Sequence, residues 1–389
     1  MSYKKINIAI LGSTGSIGCS SIQIIKEKLN LFNIEILCCN KNLSELSNQI
    51  KTLNPKNVVI NNHAFFLKAQ KKHSNTKINF FNSFDNLKIK KKLDITICAI
   101  SGIAGLQSTF LFLKFSKKLL IANKESIVCG GQILIKEAKR NNCKIVSIDS
   151  EIYSLSLLLK NHDIKNIKSI FITASGGPFF KKKKLASVSV LDALKHPTWK
   201  MGKKISIDSA TMANKVLEML EVVTLYNFPK NKLKVKIHPQ SQIHAFCILK
   251  NGIIDFIGHN TDMKIPIGNA IYNNSNWHYN KTNFMENVNK INLTFYDSLI
   301  KKFPLLKLGY KMLKLGNVSY ILFNVFNDFF VNQFLHKKIS FVDITKNIIT
   351  LFNNKKIIMY CKNKKIKKYS DIAEVINYSK RICLNLKKY

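Results

Sequence analysis

The stretch INIAILGSTGSIGCSSIQIIKEKL, Ile6 to Leu29, decides the fold. An apolar, β-branched run (Ile6–Leu11) leads into a glycine turn, and the turn leads into a segment of helical character (Ser20–Leu29). Glycines at 12, 15 and 18 give the spacing G-x-x-G-x-x-G, a variant of the dinucleotide fingerprint. Such glycines let the backbone turn tightly and approach a pyrophosphate, while N–H groups at the helix start face the anion. An ordinary βα loop would also use glycine. The position between the first strand and first helix of an alternating domain favours nucleotide binding.

The alternation continues outward. Apolar runs at Ile34–Cys39, Asn57–Ile60, Ile95–Ile100, Leu119–Asn123 and Lys144–Ile148 are separated by amphipathic helical stretches. Near-continuous apolar strands between helices predict a parallel sheet covered on both faces, an α/β doubly wound Rossmann-type domain. The second strand ends in Cys39–Asn40–Lys41–Asn42, with a cation where a NAD site usually carries an acid. A positive side chain suits the 2′-phosphate of NADP, although a surface lysine is unremarkable in so lysine-rich a chain. After Ile148 the pattern changes. IFITA (Ile170–Ala174) ends in a glycine break, and SQIHAFCILK and IIDFIG flank Asn251–Gly252, a type I′ hairpin signal in an α+β region. From Leu305 the chain reads as helices, Leu305–Leu315, Tyr320–Leu335, Asp343–Phe352 and Asp371–Leu386, forming a C-terminal helical bundle. The expected division is 1–148, 149–285 and 286–389.

Bulk properties exclude several classes. A chain of 389 residues with 46% hydrophobic content supports two or three real cores. No apolar run reaches the roughly 18 residues of a membrane span, and the N-terminus enters a strand directly without a cleavage pattern. A cytoplasmic location is expected. Nine cysteines, an odd number without any CxxC, point to reduced and mostly buried thiols rather than a zinc site. The net charge of +40 invites a nucleic-acid reading, but only Arg140 and Arg381 are arginines among 62 basic residues. Readers of bases and phosphates favour arginine's bidentate fork. Abundant Lys, Asn, Ile, Phe and Tyr match A/T-rich codons, so the charge, including the Lys181–Lys184 run, reads as background. It would still attract anionic substrates.

Four polar clusters carry chemistry. Asp149 and Glu151 follow a strand end, where ligands bind in open α/β sheets. With a third oxygen ligand they could hold a hard divalent cation; they would equally suit a helix N-terminus. KISIDSATMANKVLEML, Lys204–Leu220, supplies the rest. A helix from about Ser209 would bury Met212, Ala213, Val216, Leu217, Leu220 and Val223 and present Thr211, Asn214, Lys215 and Glu218 on another face. Asp208 and Ser209 would lie at that helix start, where Ser209, Asn214 and Lys215 would make a phosphate pocket, and Glu218 a third carboxylate. Ser175 before Gly176–Gly177 is a further anion-binding arrangement, and KHPTWKMG (Lys195–Gly202) reads as a lid or as a loop anchored by Trp199.

Together GSTGSIG, ANKES (Ala122–Ser126), DSE (Asp149–Glu151), SGGPF (Ser175–Phe179), HPTWKMG (His196–Gly202), KISIDSATMANKVLE (Lys204–Glu218) and IHPQSQIH (Ile237–His244) resemble the 1-deoxy-D-xylulose 5-phosphate reductoisomerase family. They occur in family order up to about residue 270. The resemblance implies an NADPH-dependent oxidoreductase of isoprenoid precursor biosynthesis, homodimeric, with Mg2+ or Mn2+ on Asp149, Glu151 and Glu218. It implies substrate contacts from Lys124, Ser150, Glu151, Ser175, His196, Trp199, Ser209, Asn214, Lys215 and Glu218. Lys124 joins the three acids as a catalytic residue, and Met201 joins Trp199 in a closing loop. It assigns the cofactor to Gly12, Ser13, Thr14, Gly15, Ser16, Ile17, Lys41, Asn42, Asn123, Glu125 and Gly202. Substrate and cofactors are small molecules, with no specific nucleic acid and no membrane partner. Departures are Ile152–Tyr153 for the family's His-Asn, Val216 for its glycine, and Asn327–Asp328 for an Asn-Glu pair whose role is open. The rival readings are another NADP-linked oxidoreductase, which needs no metal, and a basic nucleic-acid-binding protein.

Overall fold

Seven parallel strands form the first sheet: β1 (Ile6–Leu11), β2 (Phe32–Cys39), β3 (Asn57–Ile60), β4 (Asn79–Phe81), β5 (Leu93–Cys98), β6 (Ser116–Ile121) and β7 (Lys144–Ser147). Their order is β4-β3-β2-β1-β5-β6-β7, a doubly wound sheet that reverses direction between β1 and β5. Loops after these two strands flank the crevice where such sheets bind ligands. The structure, a computed structural model, describes residues 4–182, 185, 187–199, 201–273, 277–282, 286, 291–298 and 300–386. Lys183 and Lys184 of the lysine run, Lys200 of the loop, and residue 285 at the expected second boundary lie outside them.

The chain divides into two compact units: Met1–Ser126, Leu134–Asp149 and Met263–Tyr279; and Ile127–Ile133, Ser150–Asp262 and Asn280–Tyr389. The contacts therefore cut the chain differently from the three-part sequence division. Residues 263–279 return to the first unit because the helix Lys264–Tyr272 buries Ile267 and Ile271 in the same core as Ile8, Ile24 and Leu37. Lys118 on β6 secures the end of that helix, donating to Ala270 O and Asn273 Oδ1, both at 2.8 Å.

The second unit contains a five-stranded sheet: β8 (Ile167–Ala174), β9 (Leu233–Ile237), β10 (Ile243–Leu249), β11 (Ile254–Gly258) and β12 (Tyr296–Asp297). The order is β11-β10-β8-β9-β12, with β10 antiparallel to both β8 and β11. The β10–β11 hairpin is present, but its turn is not type I′. Leu249 N–H donates to Ile253 O at 2.9 Å, leaving Lys250–Gly252 as a three-residue connection in which Gly252 alone has positive φ, +90°. A type I turn closed by a left-handed glycine uses Asn-Gly in this way, one residue later than a type I′ turn would.

The expected C-terminal helices are Pro304–Leu315, Asn317–Leu335, Phe341–Asn353 and Tyr369–Leu386. A fifth, Lys355–Asn363, escaped the sequence reading because it buries little beyond Ile357 and Cys361 between lysines. Among the described residues no helix is long and apolar enough to cross a membrane. All nine cysteines are free thiols, and eight are buried.

Candidate active site

The glycine turn is built by close backbone approach. Gly12 has φ +86°, and a Cβ there would lie 2.6 Å from Ala99 O in the loop after β5. A Cβ on Gly18 would lie 2.4 Å from Gly12 O, so this glycine lets the helix Ser16–Glu27 seat against the turn. Gly15 is the N-cap and offers no side chain to the orphan helix N–H groups. Ser13 Oγ is buried without a hydrogen-bond partner, which suits an incoming anionic ligand. Gln49, on the helix Leu43–Leu53, braces the turn from behind by donating to Ser13 O at 3.0 Å. The sequence reading missed it, because Gln49 is one of several polar residues between Leu46 and Leu53 and nothing local marks it as buried.

Lys41 and Asn42 follow β2 as expected and are exposed. Asn42 Oδ1 caps the next helix by accepting from Glu45 N–H at 3.2 Å, which leaves its amide as a donor. Asn123 and Glu125 flank Lys124 at the start of the helix Lys124–Arg140. The Asn123 amide donates to Ile100 O and Gly102 O at 2.7 and 3.0 Å, so it shapes the loop after β5. Gly202 is the N-cap of the helix Lys203–Thr211.

The acidic cluster is better defined. Asp149, Glu151 and Glu218 offer carboxylate oxygens that all lie within 4.8 Å of one another. Asp149 directly follows the β7 strand and its connecting Ile148, and the helix Ser150–Asn161 begins at the next residue. Lys124 Nζ donates to Asp149 Oδ2 at 2.7 Å, while Asp149 Oδ1 is buried with no hydrogen-bond partner. Ser150 Oγ donates to Glu151 Oε2 at 2.6 Å. Lys215 Nζ donates to Glu151 Oε1 at 2.9 Å and also to Glu218, and Asn214 Nδ2 donates to Glu218 Oε1 at 2.5 Å. Lys215 is 3% and Glu218 0% exposed. Burial alone would raise the Glu151 carboxyl. The charge of Lys215 and the field of His244, with hydrogen bonds from Lys215 and Ser150, instead hold it well below the usual carboxylate range. Burial would likewise lower the Lys215 ammonium, but Glu151 and Glu218 raise it. Clustered carboxylates with a spare buried oxygen form a hard donor set that fits a divalent cation.

One expectation is corrected here. No single helix starts near Ser209. The helix Lys203–Thr211 ends at Met212, which adopts φ +65°, and a second helix runs from Ala213 to Tyr226. Thr211 stabilises the break: its hydroxyl donates back to Ile207 O at 3.1 Å and accepts the Ala213 N–H at 3.3 Å. Asp208 and Ser209 therefore lie in the last turn of the first helix, and only Asn214 and Lys215 lie at a helix start. Nor is the polar face solvated, since Ala213 and Lys215–Thr224 are all buried. Val216 packs away from the acids, its methyls 3.3 Å from where Gly309 would carry a Cβ.

Ser175 and His196, both assigned to the substrate by the resemblance, are brought together. His196 Nδ1 accepts the backbone N–H groups of Trp199 and Thr198 at 2.9 and 3.3 Å, which places the ring proton on Nε2, facing Ser175 Oγ at 2.9 Å. Gly177 N–H donates to Ser175 Oγ at 3.1 Å, and a Cβ on Gly177 would lie 2.9 Å from Ser209 O. The Ser175 turn and the Ser209 helix thus share one backbone contact. Trp199 lies edge-on to His244 at 6.0 Å, and His244 stacks on His259 at 3.9 Å. Burial lowers His244 to about 3, so it is neutral near neutrality. The sequence reading gave this imidazole pair no role, although inward-facing histidines on the buried strand β10 and just after β11 were its signal.

Comparison with known proteins follows the same lines. A family model described as 1-deoxy-D-xylulose 5-phosphate reductoisomerase matches residues 8–131, its C-terminal domain model matches 145–226, and a further DXP reductoisomerase C-terminal domain model matches 259–382. A protein of that name from Pelagibacter ubique is 42% identical over 353 residues, covering 89% of this chain and 90% of its own. One from Clostridium novyi is 38% identical and covers 97% of both chains. A crystal structure of DOX-P reductoisomerase with NADPH, fosmidomycin and magnesium superposes with a TM-score of 0.91 at 28% identity over 98% of both chains. The Zymomonas mobilis enzyme with NADPH gives 0.86 at 28% identity, over 98% of this chain and 99% of that one.

Proposed function

The chain belongs to the 1-deoxy-D-xylulose 5-phosphate reductoisomerase family, and on that premise we propose how its residues share the reaction. The protein is an NADP-dependent oxidoreductase that rearranges and reduces 1-deoxy-D-xylulose 5-phosphate to 2-C-methyl-D-erythritol 4-phosphate, using NADPH and magnesium. The assignment to residues is carried by the convergence of Asp149, Glu151 and Glu218 around a spare buried oxygen. These three hold the divalent cation; manganese suits the same oxygen set. When bound, the cation supplies Lewis acidity toward the substrate carbonyl and its adjacent hydroxyl, and NADPH supplies the hydride.

The chain's own residues do the rest. Lys124 and Ser150 orient substrate oxygens beside the acids. Ser175, Ser209, Asn214 and Lys215, with His196, bind the phosphate, whose binding energy fixes the reacting carbons without touching them. Trp199 and Met201 belong to a loop that closes over the substrate and excludes water. Gly12 to Ile17 receive the pyrophosphate, Lys41 and Asn42 the 2′-phosphate side, with Asn123, Glu125 and Gly202 completing the cofactor site. Functionally, 1–148 is the NADPH-binding part, 149–285 the catalytic part and 286–389 a linker and helical part. The product feeds isoprenoid precursor synthesis in the cytoplasm.

The chain acts as a homodimer, a reading supported by the edge strand β11. Its Ile254 and Phe256, two apart and so on one face, are 59% and 52% exposed. The functional reading is tested by NADPH oxidation with product identification. Oxidation should require the phosphorylated ketose and yield the branched polyol phosphate. Equal oxidation with an unphosphorylated sugar or a simple aldehyde would favour a different NADP-linked oxidoreductase.

A further inference from the structure

We propose that Asn327 and Asp328 are positioning residues for the substrate phosphate, acting through Lys204 and Asp208 on the helix that carries Ser209. Asn327 Nδ2 donates to Asp208 Oδ1 at 2.7 Å. Lys204 Nζ donates to Asp208 Oδ2 at 2.7 Å and pairs with Asp328 Oδ1 at 3.1 Å. Asp208 is 1% and Asn327 0% exposed, so this is a buried junction between the helices Lys203–Thr211 and Asn317–Leu335. A carboxylate only accepts, so the Asn327 amide is locked with its NH2 toward Asp208.

The short helix needs such a lock. It follows directly on the His196–Gly202 loop, its N-cap is a glycine without a side-chain cap, and it ends at a left-handed Met212. Neither end therefore sets its rotation. Asp208 and Ser209 are adjacent, about 100° apart around a helix of 3.6 residues per turn, so fixing one side chain fixes the direction of the other. Ser206, Ile207, Asp208, Ala210 and Thr211 are buried, whereas Ser209 is only partly so. The close approach of Gly177 to the Ser209 carbonyl holds that half-buried point against the turn that follows Ser175. Asn327 and Asp328 thus aim a hydroxyl they do not touch.

The inference rests on Ser209 as a phosphate ligand, and a double-mutant cycle separates the two claims. The measurements are kcat, KM for deoxyxylulose phosphate and KM for NADPH in the full chain with magnesium. Asn327→Ala should raise the substrate KM roughly tenfold, the size expected for losing a hydrogen bond to a charged group, with the NADPH KM unchanged. Asp328→Asn should act in the same direction by about threefold, as befits a more exposed ion pair. In a Ser209→Ala background each should add less than about twofold, because its route is already cut. Effects that multiply in the double variants, or an unchanged substrate KM in both single variants, would overturn the proposal alone. An unchanged KM in Ser209→Ala itself would remove the phosphate reading and this inference with it. If thermal unfolding shows that Asn327→Ala does not fold, Asp328→Asn carries the cycle, since its side chain is 28% exposed.

Discussion

His196 shows how backbone contacts and burial fix the state of a single side chain. Two backbone N–H groups fix its tautomer, and burial lowers its pKa from 6.5 to about 4, partly opposed by the charge of Glu151. The sign follows from proton counts: between those values the unfolded chain binds more protons than the folded one, so stability falls as pH drops. Thermal unfolding from pH 7 down to 4 should therefore show wild type losing more stability than His196→Gln, whose side chain does not titrate. Parallel curves would contradict the neutral assignment. The residues that cluster in the structure were partly legible in the sequence. Asp149, Glu151, Asn214, Lys215 and Glu218 are oxygen and nitrogen donors at spacings that one strand end and one helix turn bring together. Asp208 was not legible as a lock, because its partner Asn327 is 119 residues away. Long-range pairing leaves no local pattern.

At the scale of elements, the fold was read correctly where period and punctuation agree, as in β1, the glycine turn and the Ser16–Glu27 helix. It was misread where they do not. The stretch Lys204–Leu220 has continuous helical periodicity, and nothing in its composition signals the left-handed Met212, which Thr211 stabilises through its hydroxyl. The packing of the second helix gives a test. Val216 is fully buried, stiff at χ1, and seated opposite Gly309 of the Pro304–Leu315 helix. Gly309→Ala would gain helix propensity on its own, yet its Cβ would meet both Val216 methyls at 3.3 Å. Because Val216 has no flexible end to move, we expect a net loss of about 1 kcal/mol, at the lower end of overpacking costs. In a Val216→Ala background the same change should become stabilising. Chemical denaturation of the four variants checks this, and additive effects would show that the two residues do not share the space.

For the whole molecule, the charge of +40 has no arginine-rich surface behind it. Any binding to DNA should be sequence-blind and lost at modest salt, which fluorescence anisotropy across a salt series would show. Tight binding at physiological salt would contradict that view. The two compact units were only partly legible, because the return of residues 263–279 to the first unit depends on where Ile267 and Ile271 find a core. Self-association should run through β11. Phe256→Lys should shift the sedimentation coefficient toward a monomer, and an unchanged dimer would place the interface elsewhere. The central claim, that Asp149, Glu151 and Glu218 hold the catalytic cation, has the most direct test: substrate-dependent NADPH oxidation titrated with magnesium in wild type and Glu218→Gln. Chelator-treated wild type should be inactive and recover on magnesium addition. Glu218→Gln should need at least about tenfold more metal and turn over on the order of a hundredfold more slowly. Full turnover by the metal-free wild type, or an unchanged magnesium dependence in Glu218→Gln, would contradict it.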